Sequence, residues 1–364
     1  MRGHDIRVID YPIDFKEEKG MIHRRKVTKD YKKIHTDANI QVISPSILKI
    51  PFLVYPSMLF SHNREIHRQI KEYKPDIIIG FGIINTYLAS RIAKKEKIPF
   101  IYYWIDVLHT LIPDKGFETI GEYLEKATIR NSTQVITINR KLEDFVKNLG
   151  AVKTDVIGAG IDLEKFNLDV DGSGIRRKYD IKDDDVLLFF MGFLYDFSGL
   201  KEVALEISKI KNKNIKLLVV GDGDAYIELN EIVKSKNLTD NIILTGAQPY
   251  NLIPKLVAAS DVCILPAYPD EKIMQDIVPI KIYEYMAMSK PVICTRLPGI
   301  VMEFGKKNGI HYINNPSDII SKVNDINIIE EGKKARKLAE KNDWINITDK
   351  FEKFLMISKN EAFE

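Results

Sequence analysis

The sequence predicts an α/β protein of two Rossmann-like domains, and three observations carry that prediction. Short apolar runs alternate with longer amphipathic segments along the chain, the pattern of strands and helices wound around a mostly parallel sheet, and the pattern occurs twice. At 364 residues and 45% hydrophobic content the chain exceeds one ordinary core and fits two. Turn-forming residues gather between the two series in Gly158 to Gly174, which includes Asp169-Val-Asp-Gly-Ser-Gly174. The expected domains are 1–165 and 166–340, facing each other across a cleft.

In the first half the strand-length apolar runs are Ile6 to Ile9, Ile40 to Ile43, Asp76 to Gly80, Phe100 to Trp104, Gln134 to Ile138 and Asp155 to Ile157. Helices such as Asn85 to Glu96 and Arg140 to Leu149 lie between them. In the second half Val186 to Met191, Ile215 to Val220, Asn241 to Leu244, Asp261 to Leu265, Pro291 to Cys294 and Ile310 to Ile313 play the same part.

The run Asp276 to Ile293 carries the most chemistry. Pro279 has no N–H and a fixed φ, which suits the first position of a helix whose positive end can meet an anion. Lys281 and Glu284 lie three residues apart on one helix face. A cation for a phosphate thus stands beside a carboxylate able to accept two vicinal hydroxyls, a pairing that suits a sugar nucleotide. Pro291 ends the helix and Pro291-Val-Ile-Cys-Thr295 follows as a buried strand.

Composition narrows the remaining classes. Net charge is +3, so no nucleic-acid partner is expected. Cys263 and Cys294 lie in apolar runs without metal-ligand spacing and are expected as reduced, buried thiols of a cytoplasmic protein. No 18-residue apolar stretch occurs, and the start lacks the apolar core of a signal peptide. A charged segment from Lys16 to Lys33 precedes an apolar flap, Ser46 to Phe60, broken by Pro51 and Pro56. Two readings stay open for residues 16–60: peripheral contact with the inner face of a membrane, or a solvated loop followed by a buried helix.

Several blocks, in order and spacing, make the chain similar to the family 4 glycosyltransferases of GT-B fold over nearly its whole length. They are Leu188-Phe-Phe-Met-Gly192 with Gly199, Leu217-Leu-Val-Val-Gly-Asp-Gly223, Ile243-Leu-Thr-Gly246, Ala258-Ala-Ser-Asp-Val-Cys-Ile-Leu-Pro266 and the Asp276 to Ile293 run. Asp76-Ile-Ile-Ile-Gly80, Val135-Ile-Thr-Ile138 and Asp155 to Phe166 resemble the acceptor domain and the crossing into the donor domain. Trp344 and a helix from Thr348 to Met356 resemble the terminal segment, 341–364, that returns to the first domain.

The resemblance implies transfer of a sugar from a nucleoside diphosphate sugar to an acceptor hydroxyl, with retention, no cofactor and no catalytic metal. The acceptor is expected to be a lipid-linked or cell-surface saccharide. By the same likeness Glu284 binds the donor ribose and Asp276, usually a glutamate, faces the transferred sugar. Gly192 and Gly221 stand at the ends of donor-domain strands. Where the family's phosphate loop has an arginine and a lysine, this chain has Phe193 and Ser198. The diphosphate charge is then expected to fall to Lys281, to Lys201 and to a helix end capped by Ser198, with Gly199 giving close backbone approach; a loop that has lost donor binding is the competing reading. Asp106 and His109, after the strand Phe100 to Trp104, are the acceptor-side catalytic candidates, or else a helix cap and a structural histidine.

Asp222-Gly-Asp224 and Asp183-Asp-Asp185 imitate metal motifs, but turn chemistry accounts for both. Gly80-Phe-Gly82 and Gly158-Ala-Gly160 are fragments of a dinucleotide fingerprint without its third glycine. The family usually opens with a strand and glycine-rich loop ahead of a run like Arg2 to Ile9, so a longer active form with that unit is expected. Two rival classes remain: a sugar-nucleotide epimerase of the same fold, which would act on donor alone, and a non-catalytic partner protein.

Overall fold

Parallel strand pairing organises both halves of the chain, and does so differently in each. The computed structural model describes residues 2–10, 20–29, 40–112, 115–210, 214–271, 274–275 and 278–361. The chain divides into two units, Met1–Ile157 with Phe351–Glu364, and Gly158–Lys350. The first unit thus ends before residue 165, and the chain rejoins it at Phe351 rather than 341.

The first unit opens with β1 (Ile6–Ile9), β2 (Ile22–His23), β3 (Lys26–Thr28), β4 (Ile40–Ser44), β5 (Ile47–Leu48) and the helix α1 (Val54–Tyr73). Strands and helices then alternate through β6 (Ile78–Gly80), α2 (Ile84–Glu96), β7 (Phe100–Trp104) and α3 (Lys115–Asn131). The series closes with β8 (Gln134–Thr137), α4 (Arg140–Asn148) and β9 (Thr154–Val156). Among the described residues the strands form three sheets, β1-β4-β3, β2-β5 and an all-parallel β6-β7-β8-β9.

The charged segment is part structural. Arg25 grips the buried Glu65 of α1 with two hydrogen bonds of 2.8 Å, and Gln69 adds a third. The bond from Arg25 holds the Glu65 carboxyl below its ordinary range, against the pull of burial. Residues 16–19 and 30–39 lie outside the described residues. The apolar flap is not a single buried helix. It forms β5, a turn with Phe52 at φ 67°, and the first turns of α1, where Pro56 needs no hydrogen bond. Met58 is buried, whereas Phe52 is 96% and Phe60 71% exposed. No described helix is long and apolar enough to cross a membrane.

The second unit starts with α5 (Ser173–Lys178) and continues through β10 (Val186–Met191), α6 (Leu200–Lys209), β11 (Ile215–Val220), α7 (Tyr226–Ser235) and β12 (Ile242–Leu244). Next come α8 (Ile253–Ala259), β13 (Val262–Leu265), α9 (Ile280–Ala287), β14 (Val292–Thr295), α10 (Pro298–Phe304) and β15 (Ile310–Ile313). Helices α11 (Ile319–Asn324), α12 (Ile328–Ala339) and α13 (Trp344–Glu361) follow, the last continuing into the first unit. The six strands make one parallel sheet in the order β12-β11-β10-β13-β14-β15. The strand order reverses at β10, and in sheets of this kind ligands sit outside the carboxyl ends of the strands at that point. Every residue of β13 and β14 is buried, which is why both read as continuous apolar runs. Cys263 and Cys294 are free thiols within them.

Pro279 precedes α9 instead of opening it, with its ψ of 125° still extended. Beyond α9 the chain reverses at Ser289 with φ 56°, and the Lys290 ammonium donates to the carbonyls of Ala258 and Ser260. Gly199 sits at φ 71° with its Cα pressed on the loop after β13, where a Cβ would overlap the Pro266 carbonyl. Gly246 has a similar φ of 67° but open space. Gly199→Ala is therefore expected to destabilise the second unit by about 2–4 kcal/mol, and Gly246→Ala by about 1 kcal/mol, in urea unfolding. Equal effects would remove the steric argument.

Candidate functional site

The loops that leave β10, β11 and β12 are bonded backbone to backbone. Gly192 N donates to Val220 O at 2.9 Å, Leu194 N to Asp222 O at 3.0 Å, Ala225 N to Leu194 O at 2.9 Å and Gly221 N to Gly246 O at 2.9 Å. Such proximity excludes side chains. A Cβ on Gly221 would overlap the Gly192 carbonyl, and one on Gly223 would stand 2.7 Å from Leu194 N and 2.9 Å from the Phe193 ring. These loops border an open cleft of about 470 Å³ lined by Gly192, Phe193, Gly221, Asp222, Gly223 and Ala247.

Helix α9 brings the charges to this crest. The Lys281 ammonium abuts Gly192, where a Cβ would collide with it, and lies 4.8 Å over the Phe190 ring. Among the described residues it forms no hydrogen bond or ion pair, and burial pulls its pKa down to about 8. Glu284, one turn along, is buried, and its Oε1 accepts a 2.7 Å hydrogen bond from the Tyr250 hydroxyl. Burial pushes the Glu284 carboxyl up, opposed by Tyr250, Lys165 and Lys281. Lys165 stands 3.6 Å over the Tyr250 ring. Tyr285 fixes the helix in place, its hydroxyl accepting from Met191 N at 3.0 Å at the end of β10.

Two of the expected donor contacts change. Lys201 is ion-paired with Glu228, at 3.0 Å, which raises its pKa and commits its charge elsewhere. Ser198 is buried at the end of the short turn Asp196–Ser198, and Gly199, in left-handed conformation, takes the cap position of α6 without a side-chain bond. Ser198 therefore caps nothing. Asp276 lies outside the described residues. Gly192, Gly221, Lys281 and Glu284 do come together.

In the first unit His109 sits in a short turn, Leu108–Leu111, after β7. It is buried with its Nδ1 2.5 Å from Glu125 Oε2 of α3, which approaches closely because Gly121 has no side chain to meet His109 Cβ. Burial pushes the Glu125 carboxyl up, and the bond from His109 opposes it. Asp106 Oδ1 accepts from the next amide, Val107 N, at 2.8 Å, and the cap position of that turn belongs to Val107, so Asp106 is not a helix cap. Tyr250, Lys165, Tyr285 and Glu125 were not singled out by sequence reasoning, since their partners lie far off in the chain or carry no motif spacing. Among the described residues no group of three or more His, Cys, Asp or Glu is arranged to hold a metal ion.

Residues 173–344 match the family model for glycosyl transferases group 1, and residues 1–165 the model for glycosyltransferase family 4. A glycosyltransferase named for teichuronic acid biosynthesis in Bacillus subtilis is 27% identical over 238 residues, 65% of this chain and 57% of that protein. The N-acetyl-alpha-D-glucosaminyl L-malate synthase of Bacillus anthracis is 22% identical over 273 residues, 68% of each. The match thus spans less than two thirds of the Bacillus subtilis relative. In fold, the Anabaena protein HepE, solved with UDP, superposes at TM-score 0.68 with 16% identity, over 87% of this chain and 86% of that one.

The His109–Glu125 pair makes a separable stability prediction. His109→Ala leaves the buried Glu125 carboxylate without its imidazole partner, at a cost of up to about 3 kcal/mol at pH 8. A lone carboxyl whose folded pKa is raised binds more protons folded than unfolded, so the loss should shrink toward pH 5. Pairing the change with Glu125→Leu should restore most of the stability in urea unfolding; no recovery would contradict the pairing.

Proposed function

Because the chain belongs to the family 4 glycosyltransferases of GT-B fold, we propose that it moves a hexosyl group from a nucleoside diphosphate sugar to an acceptor hydroxyl, with retention and without a catalytic metal. The observation that carries this reading is the pairing on α9 of an ammonium without a partner and a buried carboxylate, at the crest of a glycine-only crossing of loops. Lys281 takes the diphosphate and stabilises the leaving group as its negative charge grows. Glu284, pre-positioned by Tyr250, accepts from the ribose hydroxyls. Asp276 faces the transferred sugar, and His109 and Asp106 serve the acceptor. The UDP complex of the Anabaena protein, and its UDP-glucose complex, support a uridine diphosphate sugar as donor.

The acceptor is read as a lipid-linked or cell-surface saccharide met at the inner membrane face. Exposed Met21, Ile22, Phe52, Tyr55 and Phe60 support this reading, with Met21 O bonded to Lys49 N and the exposed Arg24, Lys26 and Lys29 nearby in sequence. An apolar tip with basic neighbours suits anionic headgroups.

In thermal-shift assays UDP or UDP-glucose at 100 times its dissociation constant should stabilise the protein by about 2.7 kcal/mol. Lys281→Ala and Glu284→Ala should each weaken donor binding by about 10- to 100-fold, the worth of a charge-assisted contact; normal donor binding by Lys281→Ala would overturn the assignment. The free-enzyme kcat/KM should fall as pH rises through about 8, where Lys281 loses its proton. Co-flotation with anionic vesicles should be lost in Phe52→Glu/Phe60→Glu, and wild-type protein that stays off such vesicles would discard the membrane reading.

A further inference from the structure

The loop from Gly192 to Gly199 carries rings at alternate positions, Phe193, Tyr195 and Phe197. Phe193 and Tyr195 have centroids 4.6 Å apart, and Tyr195 and Phe197 lie stacked at 4.7 Å and 7°. The ladder is anchored at one end and open at the other. Phe197 packs against the core, whereas Tyr195 is 46% and Phe193 49% exposed. The Phe193 ring is also braced by the bare backbone of Gly223. A large aromatic face is thus held rigid and half exposed at the wall of the 470 Å³ cleft, so little conformational freedom is left to lose when a ligand covers it.

The rest of the cleft indicates which part of a ligand covers that face. Besides Phe193 and Asp222 the lining is Gly192, Gly221, Gly223 and Ala247, residues small enough to leave room for a flat group. Asp222 is the one charged side chain among the lining residues, and its Oδ1 accepts from Gly223 N at 2.8 Å. A phosphate placed there would meet a like charge. The cation, Lys281, stands on the Gly192 side. Charge therefore sends the diphosphate toward Lys281 and leaves the uncharged planar end of the molecule for Phe193.

We propose that Phe193, backed by Tyr195 and Phe197, is the stacking platform for the nucleobase of the donor. The inference rests on the donor reading above and assigns a role to a residue standing where the resemblance leads one to expect an arginine. Aromatic stacking replaces ionic contact at that position, and a base stacked on a ring is worth about 1–3 kcal/mol.

The test is calorimetric titration of the full chain with UDP and GDP at pH 7. Phe193→Leu keeps an apolar side chain to brace Gly223 but removes the π face, and should weaken both nucleotides by about 5- to 100-fold. Phe193→Trp should hold wild-type affinity, and its added fluorescence, taken against the wild-type background, should be quenched by either nucleotide. Wild-type affinity in Phe193→Leu, or unquenched Trp fluorescence under saturating UDP, would overturn the platform while leaving the donor reading intact. Absence of any UDP or GDP binding by the wild-type protein would overturn the donor reading itself, and the platform with it.

Discussion

The second unit depends on a steric constraint at its crest: the loops after β10 and β11 cross at distances that only backbone can occupy. Gly221 meets the Gly192 carbonyl, Gly223 the peptide groups of Leu194, and Gly199 the Pro266 carbonyl. Any Cβ at Gly221 would push the β11 loop off the Gly192 carbonyl and break the backbone hydrogen bonds that continue the sheet pairing past the strand ends. The same constraint lets α9 come close enough for the Lys281 ammonium to rest on Gly192 and for Tyr285 to bond Met191 N. Site geometry follows from the glycines before any polar residue is considered.

Within that frame the cations divide by duty. Lys290 ties α9 to the end of α8 through two carbonyls, Arg336 bonds the carbonyls of Phe166 and Ala287, and Arg176 bonds Asp261 and three carbonyls. Lys201 answers Glu228. Lys281 alone among these has no such tie, and a desolvated charge of that kind acts on a neighbouring anion through a medium that screens poorly. One ammonium in this position can do more than several solvated ones. Glu284 is prepared in the same manner, since the Tyr250 hydroxyl occupies one carboxylate oxygen and fixes the direction of the other.

Much of this was legible in the sequence, for physical reasons that also explain the failures. Strands β10, β11 and β15 match the apolar runs residue for residue, because their buried positions are apolar and only the half-buried Lys216 and His311 interrupt them. Strands β2, β3 and β5, of two or three residues, are too short to impose a period. Helix α1 was hidden by Pro56, acceptable in a first turn, and by buried His62, Glu65 and Gln69, which blur its apolar face. Lys281 and Glu284 were readable because helical spacing is local. Lys201 misled because its partner, Glu228, arrives from another helix, and Tyr250 and Glu125 were invisible for the same reason.

The two units also differ in what holds them. The second keeps six strands in one sheet, so backbone pairing and a single apolar core support the whole. In the first, among the described residues, β1 pairs only with β4 and β6 only with β7. Side chains join what the ladder does not. Arg25 ties the segment after β2 to α1, Arg7 of β1 bonds Gln69 of α1 and lies 4.1 Å over Tyr73, and Ser358 of the last helix donates to buried Gln134 of β8 at 2.5 Å. Glu352 adds Arg2 and His4, each at 2.7 Å, but these pairs are partly exposed and such bridges are worth little in water. The weight falls on the enclosed links: Glu65 and Gln134 are buried acceptors, and losing their donors would cost more than the bonds contribute. The first unit therefore leans on enclosed polar links where the second leans on strand pairing and one apolar core.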